Sequence, residues 1–288
     1  MCESVAERPR RRIVTRRVCV QAFYYAVAIL LAVIVVIPLA WMVAGSLKDL
    51  NEAYALRLIP QHPTLDNYRT LFGVRDAPIL RWFLNTVLVG GGGAVLLIAV
   101  VLPAAYAYAR MDFWGRDVMF ALLISTFLIP GIIFLVPNFL IVVKLGLLDT
   151  YWAVILPPLG GTFGVFFFRQ FFLSLPAELE EAMLLDGANR FRILWSLVIP
   201  LSKGAMATIV VLTFLGVWNE ILWTPLVLND PNLWTLPVGL ISFTGTYGST
   251  NPGVVMAGVC LATLPMVGIF FAMQRFIVES VASVAIKG

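Results

Sequence analysis

The segment SLPAELEEAMLLDGANRFRILWSLVIPLSK, residues 174–203, is charged and rich in turn-forming residues, yet it lies between two strongly apolar segments. Because charged side chains are costly inside a lipid bilayer, this segment is predicted to lie outside the membrane. Pro176 suits a first helical turn, where its missing N–H is not needed, and Glu178, Glu180 and Glu181 follow at the positive end of the helix dipole. The sequence therefore predicts a short helix that begins near Pro176.

This short helix is predicted to end at Asp186 and Gly187, because glycine most easily adopts the left-handed conformation that closes a helix. Asn189 is then a suitable N-cap for a second short helix that carries Arg190 and Arg192. The expected structure of the segment is a helix, a glycine turn and a second helix. We call the whole segment the charged hairpin.

Composition identifies the class of protein. Of the 288 residues, 60% are hydrophobic and only 12% are charged, which leaves too little polar surface for a water-soluble globule of this size. The net charge is +4, but the basic residues lie between apolar runs and form no patch with interleaved aromatic residues, so nucleic acid is not the expected partner. The three cysteines, Cys2, Cys19 and Cys260, are too far apart in sequence to indicate a disulfide framework or a metal site.

The apolar runs predict an all-α polytopic membrane protein with six transmembrane helices, since about 20 residues cross the hydrocarbon core. The expected spans are residues 23–44, 82–109, 118–143, about 150–168, about 204–228 and about 253–274. In the fourth span, the pairs Pro157-Pro158 and Gly160-Gly161 interrupt backbone hydrogen bonding and predict a bent helix. The polar segments 45–81 and 230–252 are predicted to be external loops.

The basic residues predict the orientation of the chain. Residues 1–22 contain six arginines and form an expected basic cytoplasmic tail, followed by a membrane domain at 23–280 and a cytoplasmic C-terminal tail at 281–288. With six spans and both termini in the cytoplasm, about 14 of the 20 Lys and Arg residues lie on the cytoplasmic side, as the positive-inside rule favours. The charged hairpin and residues 110–117 are then cytoplasmic.

The charged hairpin resembles the EAA loop of ABC-importer permeases, whose pattern is Glu-Ala-Ala, two residues, Asp-Gly-Ala, and an apolar residue and Pro at a fixed distance. The matching residues are Glu181, Ala182, Met183, Asp186, Gly187, Ala188, Ile199 and Pro200. Met183 departs from the usual Ala, and we expect its larger side chain to alter how the helix seats in a partner. An acidic helix between two spans is otherwise a solvated connector, and the complete pattern favours the resemblance.

The resemblance implies that the hairpin docks into a cleft of a cytoplasmic ATPase subunit, where the glutamate meets a basic residue. The residues expected to couple this chain to the ATPase are Glu180, Glu181, Ala182, Asp186, Gly187, Ala188, Arg190 and Pro200. The chain contains no Gly-Lys-Ser/Thr phosphate-binding loop, so energy is expected to come from a separate subunit. The run Gly90–Gly93 has no such lysine and indicates close helix packing instead.

Further segments resemble the maltose-permease-like (MalG-type) carbohydrate importers. They are PTLDNYRTLF at 63–72, FLGVWNEILWTPLVL at 214–228, LPVGL at 236–240 and the tail SVASVAIKG at 280–288. The segment at 63–72 also fits an ordinary helix capped by Thr64 or Asp66. In the tail, Ala282, Ser283 and Val284 stand where the family usually has glycine.

This resemblance implies a type I ABC-importer permease (MetI-like) fold in the bacterial inner membrane, with the chain as half of a heterodimeric pathway for a carbohydrate or related compound. The implied partners are a second (MalF-like) permease subunit, a homodimeric ABC ATPase and an extracytoplasmic substrate-binding protein. ATP and Mg are expected to bind to the ATPase subunits, and no cofactor or metal is expected in this chain.

The triplet Trp218, Asn219 and Glu220 is the candidate for the translocation pathway. At about 1.5 Å per residue it lies on the order of 25 Å from Lys203, within or near the outer half of the membrane. An intramembrane acid is a functional candidate, and an aromatic face beside an amide suits a sugar. Alternatively, the triplet joins helices by hydrogen bonds and never meets substrate.

Two other functions were weighed against a permease. An ion-coupled secondary carrier for a small polar solute would need intramembrane charged relays, for which Glu220 is the only strong candidate. An enzyme is not expected, because His62 is the only histidine and no span carries a nucleophile with a base or a metal-ligand spacing.

Overall fold

The computed structural model describes residues 8–74, 77–247 and 250–285, and within them the chain is helical with no β-strand. The α-helices are α1 (Arg8–Ser46), α2 (Asp66–Gly73), α3 (Ile79–Arg110), α4 (Arg116–Ser125), α5 (Leu135–Lys144), α6 (Tyr151–Ile155), α7 (Thr162–Leu173), α8 (Ala177–Leu185), α9 (Arg190–Ile193), α10 (Ile199–Leu201), α11 (Lys203–Trp218), α12 (Thr224–Val227), α13 (Leu236–Tyr247) and α14 (Pro252–Ala285). The chain forms two compact units, residues 1–70 with 247–260, and residues 71–246 with 261–288.

Among the described residues, three helices are long and apolar enough to cross a membrane, and three bent helix pairs raise the number to six if each pair is one span. The all-α prediction with six spans is therefore confirmed when each bent pair is counted as one span; the third pair, residues 190–201 and 203–218 with a bend of 77°, includes the second limb of the charged hairpin. The helices at both ends are longer than expected. Helix α1 begins at Arg8, inside the predicted tail, and α14 continues past Gln274 to Ala285, so only residues 286–288 of the predicted C-terminal tail lie outside the described part.

In the first unit, the loop after α1 is held by buried polar contacts. The side-chain amide of Asn67 donates to the carbonyl oxygens of Ser46 (2.9 Å) and Lys48 (2.7 Å), and the Tyr68 and Ser46 hydroxyls lie 2.9 Å apart. Of the two capping candidates, Thr64 accepts the Asp66 N–H at 3.1 Å. Asp66 itself begins α2 and the Leu65 carbonyl oxygen accepts the Arg69 N–H, so Leu65 is at the N-cap position and neither candidate is the N-cap.

In the second unit, the predicted bend of the fourth span is confirmed, with an angle of 46° between residues 151–160 and 162–173. Gly161 forms the bend with a φ of +49°, and a Cβ there would lie 2.5 Å from Val101 and 2.8 Å from Leu97 of α3. Both the left-handed backbone and the close approach therefore require glycine. The predicted packing role of the glycine run is confirmed at Gly90, where a Cβ would lie 2.9 Å from Phe214 of α11.

The third and fifth spans differ from the expected continuous helices. The third bends by 99° between residues 116–128 and 131–144. Ile129, which precedes Pro130, has extended backbone angles because a following proline disfavours the helical region. In the fifth span, α11 ends at Trp218 rather than near Leu228, and residues 219–223 are not helical.

The predicted external loop at 230–252 contains an apolar helix, α13, that was not expected from the sequence. Its Leu236 N–H donates to the Thr86 hydroxyl of α3 at 2.7 Å, and a Cβ on Gly239 would fall within 2.1 Å of the Trp82 ring. The Trp82 indole N–H donates to the Pro231 carbonyl oxygen at 2.7 Å. These contacts hold α13 against the start of α3.

Asp149 fixes a second connection in the same unit. Its carboxylate accepts hydrogen bonds from the backbone N–H groups of Asn229 and Asp230 and from the Asn229 side-chain amide, and its own backbone has a φ of +55°. Because these bonds favour the charged form, they lower the pKa of the Asp149 carboxyl below its usual value of 3.8.

Gly161→Ala is expected to destabilise the protein by about 1–3 kcal/mol, because the methyl group meets Val101 and Leu97 in a strained backbone. The matched control is Gly160→Ala, since a Cβ on the neighbouring Gly160 meets no atom within 4 Å. Thermal unfolding of the two purified variants in the same detergent measures the difference. Equal melting temperatures would contradict this account of the bend.

Asp149→Asn is expected to lower stability in a pH-dependent way. The pKa of the Asp149 carboxyl is lower in the folded protein than in the unfolded protein, where it is 3.8. Charged Asp149 therefore stabilises the fold fully above pH 3.8, and this contribution is lost as the pH falls through the pKa of the folded protein. The difference in Tm between wild type and variant should therefore be positive at about pH 7 and shrink below about pH 4. A difference in Tm that is independent of pH would show that the charge of Asp149 does not stabilise the fold.

Candidate coupling site

The first limb of the charged hairpin is helix α8, and it ends as the sequence predicts. The Ala188 N–H donates to the Met183 carbonyl oxygen at 2.9 Å, and the Gly187 N–H donates to that of Leu184 at 3.0 Å. With a φ of +81° at Gly187, these two bonds form the glycine-closed Schellman motif. The direction of the chain after α8 is therefore set by its own backbone.

The second limb begins at Asn189, whose side-chain oxygen accepts the Arg192 N–H at 2.8 Å. This confirms the predicted N-cap. Helix α9 carries Arg190 and Arg192, and it continues through a π-helical turn at Leu194–Val198 into α10. Pro200 is an exposed residue of α10.

The inner face of the hairpin packs against the transmembrane helices. Ala188 and Ile193 are buried in an apolar cluster that also contains Val101 of α3 and Phe168 of α7. Met183 packs against this same cluster. Met183 is partly buried on the face that contacts the chain's own core, and an effect of its larger side chain on the fit to a partner stays a prediction.

The outer face of the hairpin is exposed and carries most of the predicted coupling residues. Glu181, Ala182, Asp186 and Gly187 are all exposed. By contrast, Ala188 belongs to the inner face, so its contribution is to packing.

Three large apolar residues on the hairpin were not among the predicted site residues. Leu185 is 90% exposed, and Phe191 and Trp195 are 72% and 66% exposed. The two rings stack with centroids 6.3 Å apart and an angle of 12° between their planes. The spacing of four residues between the aromatic residues in a helix was the signal that could have revealed this pair.

Glu180 differs from the neighbouring Glu181, because it is buried with only 5% of its surface exposed. Its Oε1 lies 3.0 Å from Nε of Arg110 without hydrogen-bond geometry, so this contact is an ion pair. Its Oε2 accepts the Tyr106 hydroxyl at 3.0 Å and lies 3.8 Å from Nη1 of Arg190. The two adjacent glutamates, predicted to act together, therefore have different surroundings.

Arg110 is the last residue of α3, and its guanidinium reaches two further segments. Its Nη2 donates to the carbonyl oxygens of Phe172 (2.8 Å) and Leu175 (2.7 Å) at the end of α7. Both carbonyls lie at the C-terminal end of α7, where the regular helical hydrogen bonds end, and that of Phe172 also accepts the Leu175 N–H at 3.1 Å. One side chain therefore connects α3, the end of α7 and, through Glu180, helix α8. Arg110 was not among the residues that the sequence predicted for this site.

The triplet of the predicted translocation pathway lies at the end of α11, apart from this site. Trp218 is buried and stacks on Phe214 at 5.4 Å, and the Asn219 side chain donates to the Leu215 carbonyl oxygen. The Glu220 carboxylate accepts the backbone N–H groups of Leu222 (2.6 Å) and Trp223 (2.5 Å). Glu220 therefore caps the turn that follows α11, and the contacts of this carboxylate are local rather than between helices.

In the part of the chain that the structure describes, no group of three or more His, Cys, Asp or Glu side chains is placed to ligate an ion. What the arrangement provides is a rigid hairpin with an exposed face of mixed apolar and charged residues and a buried ion pair at its base.

Arg110→Met is expected to destabilise the protein by about 3–5 kcal/mol, because Glu180 then remains buried without its principal counterion. The control is Arg116→Met, which removes the exposed ion pairs with Asp112 and Asp117 and should leave the melting temperature nearly unchanged. The measurement is thermal unfolding in detergent. Similar losses for both variants would show that burial of the Arg110 pair does not matter.

Comparison with known proteins agrees with the resemblance. The family model described as the inner membrane component of binding-protein-dependent transport systems matches residues 79–283. The arabinooligosaccharides transport system permease protein AraQ of Bacillus subtilis (strain 168) is 32% identical over 263 residues, covering 90% of this chain and 93% of the relative. The sn-glycerol-3-phosphate transport system permease protein UgpE of Escherichia coli O1:K1 / APEC is 32% identical over 264 residues, covering 89% of this chain and 94% of the relative.

The fold is similar to that of a solved chain from a bacterial ABC transporter involved in the import of the acidic polysaccharide alginate. The TM-score is 0.75 at 24% identity, and the match covers 95% of this chain and 99% of that chain. The chain therefore belongs to the family of inner membrane components of binding-protein-dependent transport systems, and it is a transport permease rather than an enzyme.

Proposed function

We propose that this chain is one permease subunit of an ABC importer for a carbohydrate or a related glycerophospho-compound, and that its charged hairpin receives the movement of a separate ATPase. The observation that carries the proposal is the hairpin itself. Its two limbs are set by a glycine turn and an asparagine cap, its inner face is packed, and its outer face is free to contact a partner.

The chemistry of the outer face fits a protein cleft. Exposed apolar residues that are bordered by polar ones are typical of protein interaction sites, and here Leu185, Phe191 and Trp195 are accompanied by Glu181 and Asp186. Aromatic side chains supply much of the binding energy in interfaces when a partner removes them from water. The carboxylate of Glu181 can then pair with a basic residue of the partner, which gives the contact its orientation.

The substrate class rests on the relatives. Two relatives are named as transport proteins for arabinooligosaccharides and for sn-glycerol-3-phosphate, both of which carry several hydroxyl groups. For this chain we infer a substrate of that class. In this proposal Trp218, Asn219 and Glu220 lie near the pathway, although their contacts support a role in shaping the end of α11 more directly than a role in binding substrate.

The assembly follows from the same proposal. A second (MalF-like) permease subunit completes the pathway, an extracytoplasmic binding protein delivers the substrate, and a homodimeric ATPase binds ATP and Mg. Both termini and the charged hairpin lie in the cytoplasm, which the positive-inside rule supports. Membership of a binding-protein-dependent family argues against the alternative of an ion-coupled carrier.

Glu181→Lys is expected to abolish ATP-driven uptake while the protein remains in the membrane, because the reversed charge repels the basic residue of the ATPase. The matched control is Glu178→Lys, another exposed acid of the same helix that lies outside the EAA-like pattern. Uptake of a labelled arabino-oligosaccharide or of glycerol-3-phosphate into cells, with membrane levels of each variant, measures the effect. Wild-type uptake by the Glu181 variant would contradict docking through this face.

A further inference from the structure

We propose that Glu180 is not a contact for the ATPase but an internal link, joined to Arg110, that makes the charged hairpin and helix α3 move as one body. This inference rests on the proposed function, because it assigns the step after docking. The two glutamates of the hairpin then have separate tasks, since Glu181 contacts the partner and Glu180 passes the movement to the membrane helices.

Burial is the first argument. The side chain of Glu180 is 6% exposed, and Arg110, Tyr106 and Arg190, all of this chain, surround its carboxylate. A basic residue of another protein would have to displace these groups to reach it. Glu181, one position later, meets no such obstacle because it is exposed.

The planar guanidinium of Arg110 also fixes the geometry of its contacts. A guanidinium is planar and presents its donors at fixed angles, so contacts on different sides of it are held in one geometry. Here Nε of Arg110 lies against the Glu180 carboxylate, and Nη2 donates to the carbonyl oxygens of Phe172 and Leu175. A shift of α8 against α3 must either lengthen the Arg110–Glu180 ion pair or pull the guanidinium away from the two carbonyl oxygens, whereas apolar side chains can slide past one another.

Arg190 adds the second limb of the hairpin to the same carboxylate. Its Nη1 lies 3.8 Å from Oε2 of Glu180, and its side chain is 44% exposed. The carboxylate therefore lies between a cation of the membrane helix and a cation of the limb that follows Gly187. A force on either limb reaches the same ion cluster.

The energetics favour a mechanical role. A buried ion pair loses much of its Coulomb attraction to desolvation, so an apolar pair of similar volume often gives equal or greater stability. The polar contacts of Arg110 instead hold α3, the end of α7 and α8 in one defined arrangement. In this chain, that arrangement lies between the exposed face that is proposed to dock and the long helix α3 that crosses the membrane.

The test uses the assembled transporter in lipid vesicles, with the second permease subunit, the ATPase and the binding protein. Glu180→Gln should retain the ATPase at wild-type levels, yet the uptake of labelled arabino-oligosaccharide or glycerol-3-phosphate per ATP hydrolysed should fall about 5-fold or more, the usual size of coupling between sites. Glu181→Lys should lose the ATPase itself. A Glu180→Gln transporter with the wild-type ratio of uptake to hydrolysis would overturn the proposal.

A second measurement follows the distance between the hairpin and α3, and its result in the chain with the intact ion pair does not depend on the folding of the Glu180 variant. In a chain whose three cysteines are replaced by serine, spin labels are placed at Glu178→Cys on α8 and Val100→Cys on α3, both exposed positions. The distance between the labels should stay constant when ATP and vanadate are added, and it should broaden in the same labelled chain with Glu180→Gln. A distance that changes with ATP in the chain with the intact pair would show that the hairpin and α3 move separately.

The control variant is Arg190→Met, which removes the longer and more exposed contact and should lower the ratio of uptake to hydrolysis less than Glu180→Gln does. The two proposals fail in different ways. If the unsubstituted chain does not retain the ATPase at all, the proposed function is wrong. If it retains the ATPase but Glu180→Gln has no effect on coupling, only the internal link is wrong.

Discussion

The contact between the buried carboxylate of Glu180 and the guanidinium of Arg110 holds a water-exposed hairpin on a bundle of apolar helices. A charged segment between two spans tends to separate from the bundle, because its polar groups are satisfied by water. Here the inner face is kept in place by apolar packing around Val101 and Phe168 and by this one ion pair. The outer face can then remain exposed without loosening the hairpin.

Breaks in the helices are tolerated where the surrounding structure supports them. The bend at Gly161 is packed against α3, and the turn after α11 is capped by the Glu220 carboxylate. In a membrane, backbone groups freed by such breaks need partners within the protein or water in a cavity. The breaks at Gly161 and after α11 are therefore compatible with a place in the membrane, where an inner membrane component of a transport system lies.

Local features of the hairpin were predictable because each depends on neighbours in sequence. Closure at Gly187 and capping at Asn189 involve residues within five positions of one another, and both occur as expected. The bend at Gly161 was likewise signalled by its own prolines and glycines. The end of α11 and the helix α13 were not predictable in this way, because an apolar segment reads alike whether it spans the membrane, bends or folds back against α3.

The sequence by itself determined the class of protein, the number of apolar spans and the turns of the hairpin, since composition and short-range hydrogen bonding suffice for these. Only the tertiary structure decided which glutamate faces inward. Adjacent positions on a helix point about 100° apart, so Glu180 and Glu181 cannot share one environment, and nothing local says which of them meets the core. That choice depends on Arg110 and Tyr106, which lie far earlier in the chain and are brought to Glu180 by the packing of α3 against the hairpin.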